Sequence, residues 1–205
     1  AEIASEKLLS LEIFKNSKVV KVNPDSPQKH VRYLVLSLGK KLIMPTPRIK
    51  EGFLLLDPSL IPKNLYKHAS SIKGAFKYGI KVHPKDLPYI DLIVTGSVAV
   101  SPINGARIGK GEGYSELEFA ILLEYGKITK DIPVITTVHD VQLINEIPVE
   151  PFDVSVDYII TNSRIIHVLN RHERPKGILW GFLNERKIKE IPLLEELKKF
   201  SNSTI

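Results

Sequence analysis

Residues 90–125 constrain the fold most: a buried-strand run (IDLIVT, 90–95) passes through a glycine-rich loop, 96–113, into a helix expected over 114–125. Leu117, Ala120, Ile121, Leu122 and Leu123 supply the apolar side of that helix. A second unit precedes it. Residues 18–22 (KVVKV) are rich in β-branched side chains and end at the turn-forming 23–27 (NPDSP). Residues 29–38 then carry helical periodicity closed by Gly39, and residues 41–44 (KLIM) stop at Pro45. Strand, helix and strand in that order form a right-handed parallel crossover. Further strands are expected at 133–138 and 158–161, with 164–168 as a partner at the sheet edge. An amphipathic helix over 4–14 should pack on the sheet, and a closing helix over 193–200 should precede a tail at 201–205. The middle, 46–88, has several prolines and weak periodicity, so it reads as long loops carrying short strands near 52–56 and 74–78. This alternation specifies an α/β fold: a single three-layer domain over residues 1–200 with a mostly parallel sheet.

Composition narrows the function classes. A chain of 205 residues buries enough surface to hold one core without staples. No stretch approaches the roughly 20 consecutive apolar residues of a membrane helix, so no membrane partner is expected. The absence of cysteine excludes a disulfide scaffold, cysteine-ligated zinc and a thiol nucleophile, and it suits a cytoplasmic protein. No charged-then-apolar signal segment opens the chain at Ala1. A net charge of +6 favours anionic partners such as nucleotides, polyglutamylated cofactors or nucleic acid. A solvated lysine-rich surface is the alternative, because the lysines are scattered singly.

The chemistry gathers at residues 105–114, where Gly109, Gly111 and Gly113 occupy every second position just before the expected helix. Glycine there admits positive φ and close ligand approach, and the free N–H groups of a helix start point at an anion. Arg107 and Lys110 add cationic groups for phosphate oxygens. A mobile surface turn is the plain alternative, but glycines, two cations and a helix start together favour anion binding. The spacing is neither that of the dinucleotide fingerprint nor that of a P-loop. A second constellation, residues 147–157, braces Glu150, Asp153 and Asp157 with Pro148 and Pro151. Acidic residues so placed can hold Mg2+, although turn forming and capping are their commoner uses. The histidines, including His139 after a strand and His167 with His172, lack metal-ligand spacing, and no serine sits in a nucleophile elbow. Trp180 and Phe182 read as core residues.

Together the two segments resemble the 5-formyltetrahydrofolate cyclo-ligase family. Residues 105–116 are similar to its signature, usually G-x-R-L-G-x-G-x-G-Y-Y-D, and residues 147–157 to its later proline, hydrophobic and acidic motif. Residues 18–45 resemble its opening strand, helix and strand-proline. The resemblance implies conversion of 5-formyltetrahydrofolate, with ATP and Mg2+, into 5,10-methenyltetrahydrofolate, ADP and phosphate. ATP phosphorylates the formyl oxygen, an amine nitrogen of the folate attacks the activated carbon, and phosphate leaves. By this resemblance Arg107 and Lys110 bind the phosphates, while Gly109, Gly111 and Gly113 shape the cradle. Tyr114 borders the substrate, Gln142 neighbours it, and Asp153 holds Mg2+ with help from Glu116.

Several positions depart from the family pattern. Glu116 replaces an aspartate, Ser115 replaces a second tyrosine, and Gln28 stands where the family carries the glutamate that grips the pterin. Glu112 occupies a phosphate-facing position where some members place lysine, and an anion there would oppose ATP unless its side chain turns outward. The family's basic N-terminal helix has only Lys7 as a counterpart. These departures are similar to those of a subgroup with R-I-G-K-G-E-G-Y in the loop and a stretch like residues 174–180 (RPKGILW). The alternative function is a cyclo-ligase-like domain that has lost catalysis and binds nucleotide or RNA. No aromatic RNP-like strand supports sequence-specific RNA recognition.

Overall fold

The computed structural model describes residues 1–202, with side chains through residue 200. Helices α1 (Glu2–Glu6) and α2 (Glu12–Asn16) precede β1 (Val19–Val22), and α3 (Lys29–Ser37) leads to β2 (Lys41–Pro45). Next come β3 (Phe53–Leu56), α4 (Tyr66–Ala69), α5 (Ile72–Tyr78), β4 (Ile80–Val82) and β5 (Leu92–Thr95). The short β6 (Ala99–Val100) and β7 (Arg107–Ile108) precede α6 (Tyr114–Glu124), β8 (Val134–Thr137), β9 (Tyr158–Ile160) and β10 (Ile165–His167). Helices α7 (Glu185–Glu190) and α8 (Pro192–Asn202) follow.

One sheet has the order β10-β9-β8-β5-β1-β2-β3-β4. Its run from β9 to β2 is parallel, and β3, β4 and β10 join antiparallel at the edges. Successive strand residues face opposite ways. Val20, Val22, Leu42, Met44, Leu92 and Val94 therefore pack with Leu8, Phe14, Val31, Val35 and Ala75 on one face. Val19, Ile43, Ile93, Val134 and Ile159 pack with Phe119, Ile121, Ile188 and Leu194 on the other. Helices cover both faces, which is why the parallel strands read as nearly continuous apolar runs. The result is the three-layer α/β fold with a mostly parallel sheet.

Two local expectations need correction. The segment 4–14 is not one helix: Leu11 is extended (φ −85°, ψ 123°) between a 3-10 turn, Lys7–Ser10, and α2. That break lets Leu8 and Phe14 both reach the sheet, and both are fully buried. Residues 74–78 are helical, within α5, because Ser71 Oγ accepts from the Gly74 N–H at 3.0 Å and starts a helix. A Cβ on Gly74 would lie 1.9 Å from the His68 carbonyl oxygen, so only glycine allows this close approach of α5 to α4. The strand is the next segment, β4. Helix α8 continues through Asn202, and the rest of the expected tail, residues 203–205, lies outside the described residues. No helix among the described residues is long and apolar enough to cross a membrane.

One charged pair interrupts the apolar core between β1 and α6. Lys21, in the centre of β1, points toward α6, where its ammonium donates a very short hydrogen bond to the Glu118 carboxylate and another to Asn23 Oδ1 at 2.7 Å. Both charges are buried. Burial pushes the Glu118 carboxyl up and Lys21 draws it back down. Removing one partner from such a pair strands an uncompensated charge. Lys21→Met should therefore lower the unfolding free energy by about 3–5 kcal/mol, whereas Lys21→Met with Glu118→Met should recover most of the loss. Chemical denaturation of the two variants against wild type checks this; equal stability of single and double variants would contradict it.

Candidate functional site

Adjacent parallel strands β1 and β5 send the chain in opposite directions. The helix after β1, α3, packs on one face of the sheet, and the helix after β5, α6, packs on the other. The carboxyl ends of strands at such a switch point leave a crevice. A cleft of about 920 Å³ lies there, lined by residues 23–28 after β1, residues 96–98 after β5, the glycine-rich loop and the start of α6. Gln142, Asp153, Phe182 and Lys187 also line it.

The glycine-rich loop rises from the antiparallel pair β6–β7, in which Val100 opposes Arg107. Gly111 (φ 82°) and Gly113 (φ 72°) are left-handed, and Gly113 caps α6. Nothing lies within 4 Å of a Cβ built on either, so backbone conformation and not space requires glycine there. Gly109 lines the cleft beside them. Lys110 is committed across the cleft: its ammonium bonds Asp25 Oδ1 at 2.6 Å, which holds its pKa above the usual lysine range. Glu112, half exposed, reaches over the cleft mouth to Arg48 at 3.6 Å, so it neither enters the cleft floor nor turns freely outward. The Tyr114 hydroxyl donates to Glu190 at 3.0 Å and the Lys187 ammonium sits 3.7 Å from its ring centroid. Burial, then that contact with Glu190, pushes the phenol up.

Arg107 is buried and internally satisfied. It donates to Val154 O at 3.3 Å, Gly96 O at 3.2 Å and Ser115 Oγ at 2.9 Å, and makes a very short contact to Glu116. Ser115 Oγ also accepts from Asn23 Nδ2 at 3.4 Å. A continuous polar chain therefore runs beneath the cleft from Glu118 through Lys21, Asn23, Ser115 and Arg107 to Glu116. Sequence reasoning named its last three residues and missed the roles of Lys21, Asn23 and Glu118. The available signal was a lysine inside a β-branched run that had to be a central strand. Arg32 was missed as well. It is buried in α3, where burial lowers its pKa to about 10, and it donates to Asn23 O and Asp25 O, which shapes the loop after β1.

On the opposite wall Gln28 is buried, with Nε2 donating to Thr137 Oγ1 at 3.2 Å. Its Oε1 is buried and has no hydrogen-bond partner among the described residues. A Cβ on Gly96 would lie 2.9 Å from that oxygen, so glycine keeps the space open. Gln142 lines the cleft, but its amide is committed to backbone: it donates to Ser97 O at 2.7 Å and Val98 O at 3.1 Å and accepts from His139 N at 2.7 Å. Asp153 accepts from Glu150 N at 2.8 Å, and burial, with a smaller push from nearby Glu116, raises its pKa. Asp157, from the same acidic motif, serves structure, bonding Arg174 at 2.6 Å and Val134 N at 2.8 Å.

Among the described residues no group of three His, Cys, Asp or Glu could hold a metal ion. Glu116 and Asp153 nevertheless suit Mg2+, which takes one or two carboxylates and completes its shell with water and substrate phosphates. Trp180 and Phe182 share a 3-10 turn but part ways: Trp180 is partly buried against the core, as expected, whereas Phe182 lines the cleft, is 56% exposed and meets Phe152 edge-on at 5.4 Å, contrary to the core role expected of it.

The model of the 5-formyltetrahydrofolate cyclo-ligase family matches residues 1–162. The chain is 40% identical over 200 residues to a methenyltetrahydrofolate synthase domain-containing protein of Danio rerio, covering 95% of the chain and 52% of that protein. It is 37% identical over 201 residues to the Homo sapiens protein of the same name, covering 96% and 52%. The chain thus spans about half the length of the curated relatives it matches. Among solved structures, the 5,10-methenyltetrahydrofolate synthetase of Aquifex aeolicus shares the fold, with a TM-score of 0.54 at 21% identity over 84% of this chain and 82% of that one. With its parallel sheet, switch-point cleft and glycine-rich loop before α6, the chain belongs to the 5-formyltetrahydrofolate cyclo-ligase family.

Proposed function

We propose that this chain carries out the ATP- and Mg2+-dependent conversion of 5-formyltetrahydrofolate to 5,10-methenyltetrahydrofolate in the cytoplasm, or a closely related reaction on a formylated pterin. One observation carries this reading: a single cleft sets the glycine-rich loop and the start of α6 opposite Gln28, whose buried Oε1 lacks a partner. The first wall suits phosphates, since loop and helix N–H groups face an anion. The second suits a heterocycle with an N–H to donate, because an unpaired buried acceptor is costly until it is met.

The reaction transfers the terminal phosphoryl group of ATP to the formyl oxygen. A folate amine nitrogen then attacks the formyl carbon and phosphate leaves with the oxygen. Such chemistry depends on positioning and charge neutralisation more than on covalent help. Gln28 would hold the heterocycle, Tyr114 would border it, and the loop amides with Lys110 would hold the phosphates. Glu116 and Asp153 would carry Mg2+, which neutralises phosphate charge. One observation favours the other reading, a domain that binds nucleotide or RNA without catalysis: Arg107 is spent on Glu116 and Lys110 on Asp25, so both pairs must open for these residues to act.

Anaerobic turnover of 5-formyltetrahydrofolate with Mg-ATP, followed by absorbance of the methenyl product, separates the two. Product that depends on ATP is expected. Nucleotide binding without product would favour the non-catalytic domain. The metal role has its own pH signature. The raised Asp153 carboxyl keeps its proton to higher pH than an ordinary aspartate at about 3.9. Mg2+ needs the carboxylate, so Mg2+-dependent ATP affinity should weaken on acidification before an ordinary aspartate would titrate. Asp153→Asn should cost about tenfold in that affinity and flatten its pH slope. Calorimetric titration across pH reads both, and an unchanged slope in the variant would remove Asp153 from the metal site.

A further inference from the structure

Four cationic side chains line the cleft: Arg48, Arg107, Lys110 and Lys187. Three are committed to partners in the protein. Arg107 is buried among the acceptors of its own loop and α6, Lys110 is bonded to Asp25 at 2.6 Å, and Lys187 lies 3.7 Å from the Tyr114 ring centroid. Arg48 is held more loosely: it is ion-paired with Glu112 at 3.6 Å and Glu190 at 3.9 Å, both beyond hydrogen-bond distance, and its side chain is half exposed at the cleft mouth.

The backbone that presents Arg48 is strained. Arg48 (φ 57°) and Ile49 (φ 56°) are consecutive left-handed residues that are not glycine, and Ile49 is β-branched. The turn between β2 and β3 holds them there. Ile49 is fully buried, its N–H donates to Thr46 O at 2.8 Å, and Thr46 Oγ1 accepts from Glu51 N at 3.0 Å. Non-glycine residues kept in this region gather at ligand clamps. Opposite them, Glu112 sits between Gly111 and Gly113 of the cradle. A phosphate chain there meets a carboxylate at close quarters unless a cation stands between the two. A guanidinium does so best, because its planar fork can bond a phosphate on one side while facing the carboxylate on the other.

Given the nucleotide reading above, we propose that Arg48, delivered by the β2–β3 turn and not by the glycine-rich loop, grips the phosphate chain of the nucleotide. Glu112 keeps it aimed across the cleft until the phosphates arrive. The glycine-rich loop thus holds, in Glu112, the anchor of a cation supplied from the opposite wall.

The test is calorimetry with Mg-ATP and, separately, inorganic tripolyphosphate, on wild type and on Arg48→Gln, Arg48→Gly, Arg48→Lys and Glu112→Gln. Arg48→Gln and Arg48→Gly should weaken both ligands about 10- to 100-fold, the loss expected for charge-assisted hydrogen bonds. Arg48→Lys should recover part of it. Glu112→Gln should tighten both ligands, since it removes a like charge and frees Arg48. Arg48→Gly should melt no lower than wild type, because glycine suits the left-handed position, so its binding defect cannot come from unfolding. Wild-type affinity in Arg48→Gln and Arg48→Gly would overturn the assignment, and if wild type still forms product, the reaction stands without it. Tripolyphosphate binding that depends on Arg48 in a protein that forms no product would keep the assignment and remove the reaction. A wild type that binds neither ligand would remove both.

Discussion

The buried contact between Lys21 and Glu118 is the constraint on which the rest of the site depends. A lysine in the middle of β1, flanked by parallel β2 and β5, has no path to water, so a carboxylate must come to it. That requirement sets how α6 lies over the sheet. With Glu118 above Lys21, the first turn of α6 is placed where Ser115 meets Asn23 and Arg107, and where Glu116 meets Arg107. The helix start that faces the cleft is therefore positioned by a charge pair beneath it, and the glycine-rich loop closes the path from β5 to that helix. A fully hydrophobic floor would pack at least as well. What the polar chain adds is registry, since each member has partners at only one position of α6 along the strand.

The units whose information is local were legible. β1-α3-β2 and β5-loop-α6 came from strand runs, turn residues and glycines, and the structure places them in one parallel sheet. The segments that failed lack that locality. Residues 4–14 have a helical stripe, but Leu8 and Phe14 must both reach the sheet, and the break at Leu11 follows from packing and not from propensity. Residues 74–78 were misread because the cap at Ser71 and the close approach at Gly74 outweigh a short apolar pattern.

The site divides in the same way. Glycine spacing marked the loop before α6, and Gln28, Tyr114, Glu116 and Asp153, named from sequence, all line the cleft. Their charge partners were not legible, because Lys110 pairs with Asp25, 85 positions away, and Arg48 with Glu112 across two different loops. Nor could sequence alone divide the acidic motif. Asp153 lines the cleft, while Asp157 anchors Arg174 and the start of β8, a distinction that depends on which side of a strand entrance each residue faces.

The departures from the family pattern form one connected change. Ser115 has Arg107 at 2.9 Å, Thr95 at 3.2 Å and Asn23 at 3.4 Å, so a tyrosine ring could not occupy that position without displacing them. The small hydroxyl thus lets Arg107 sink into the floor and meet the longer side chain of Glu116. An arginine held this way stabilises the helix start but is drawn away from the open cleft, and the loop's remaining cation, Lys110, is held by Asp25. The deficit of available positive charge in the cradle is then deepened by Glu112. Arg48, in reach of Glu112 from the opposite wall, restores the balance without adding a residue to the loop. Ser115, Glu116, Glu112 and Arg48 are best understood together: the loop's own cations are paired with Glu116 and Asp25, and the turn that faces the loop brings a further cation to Glu112.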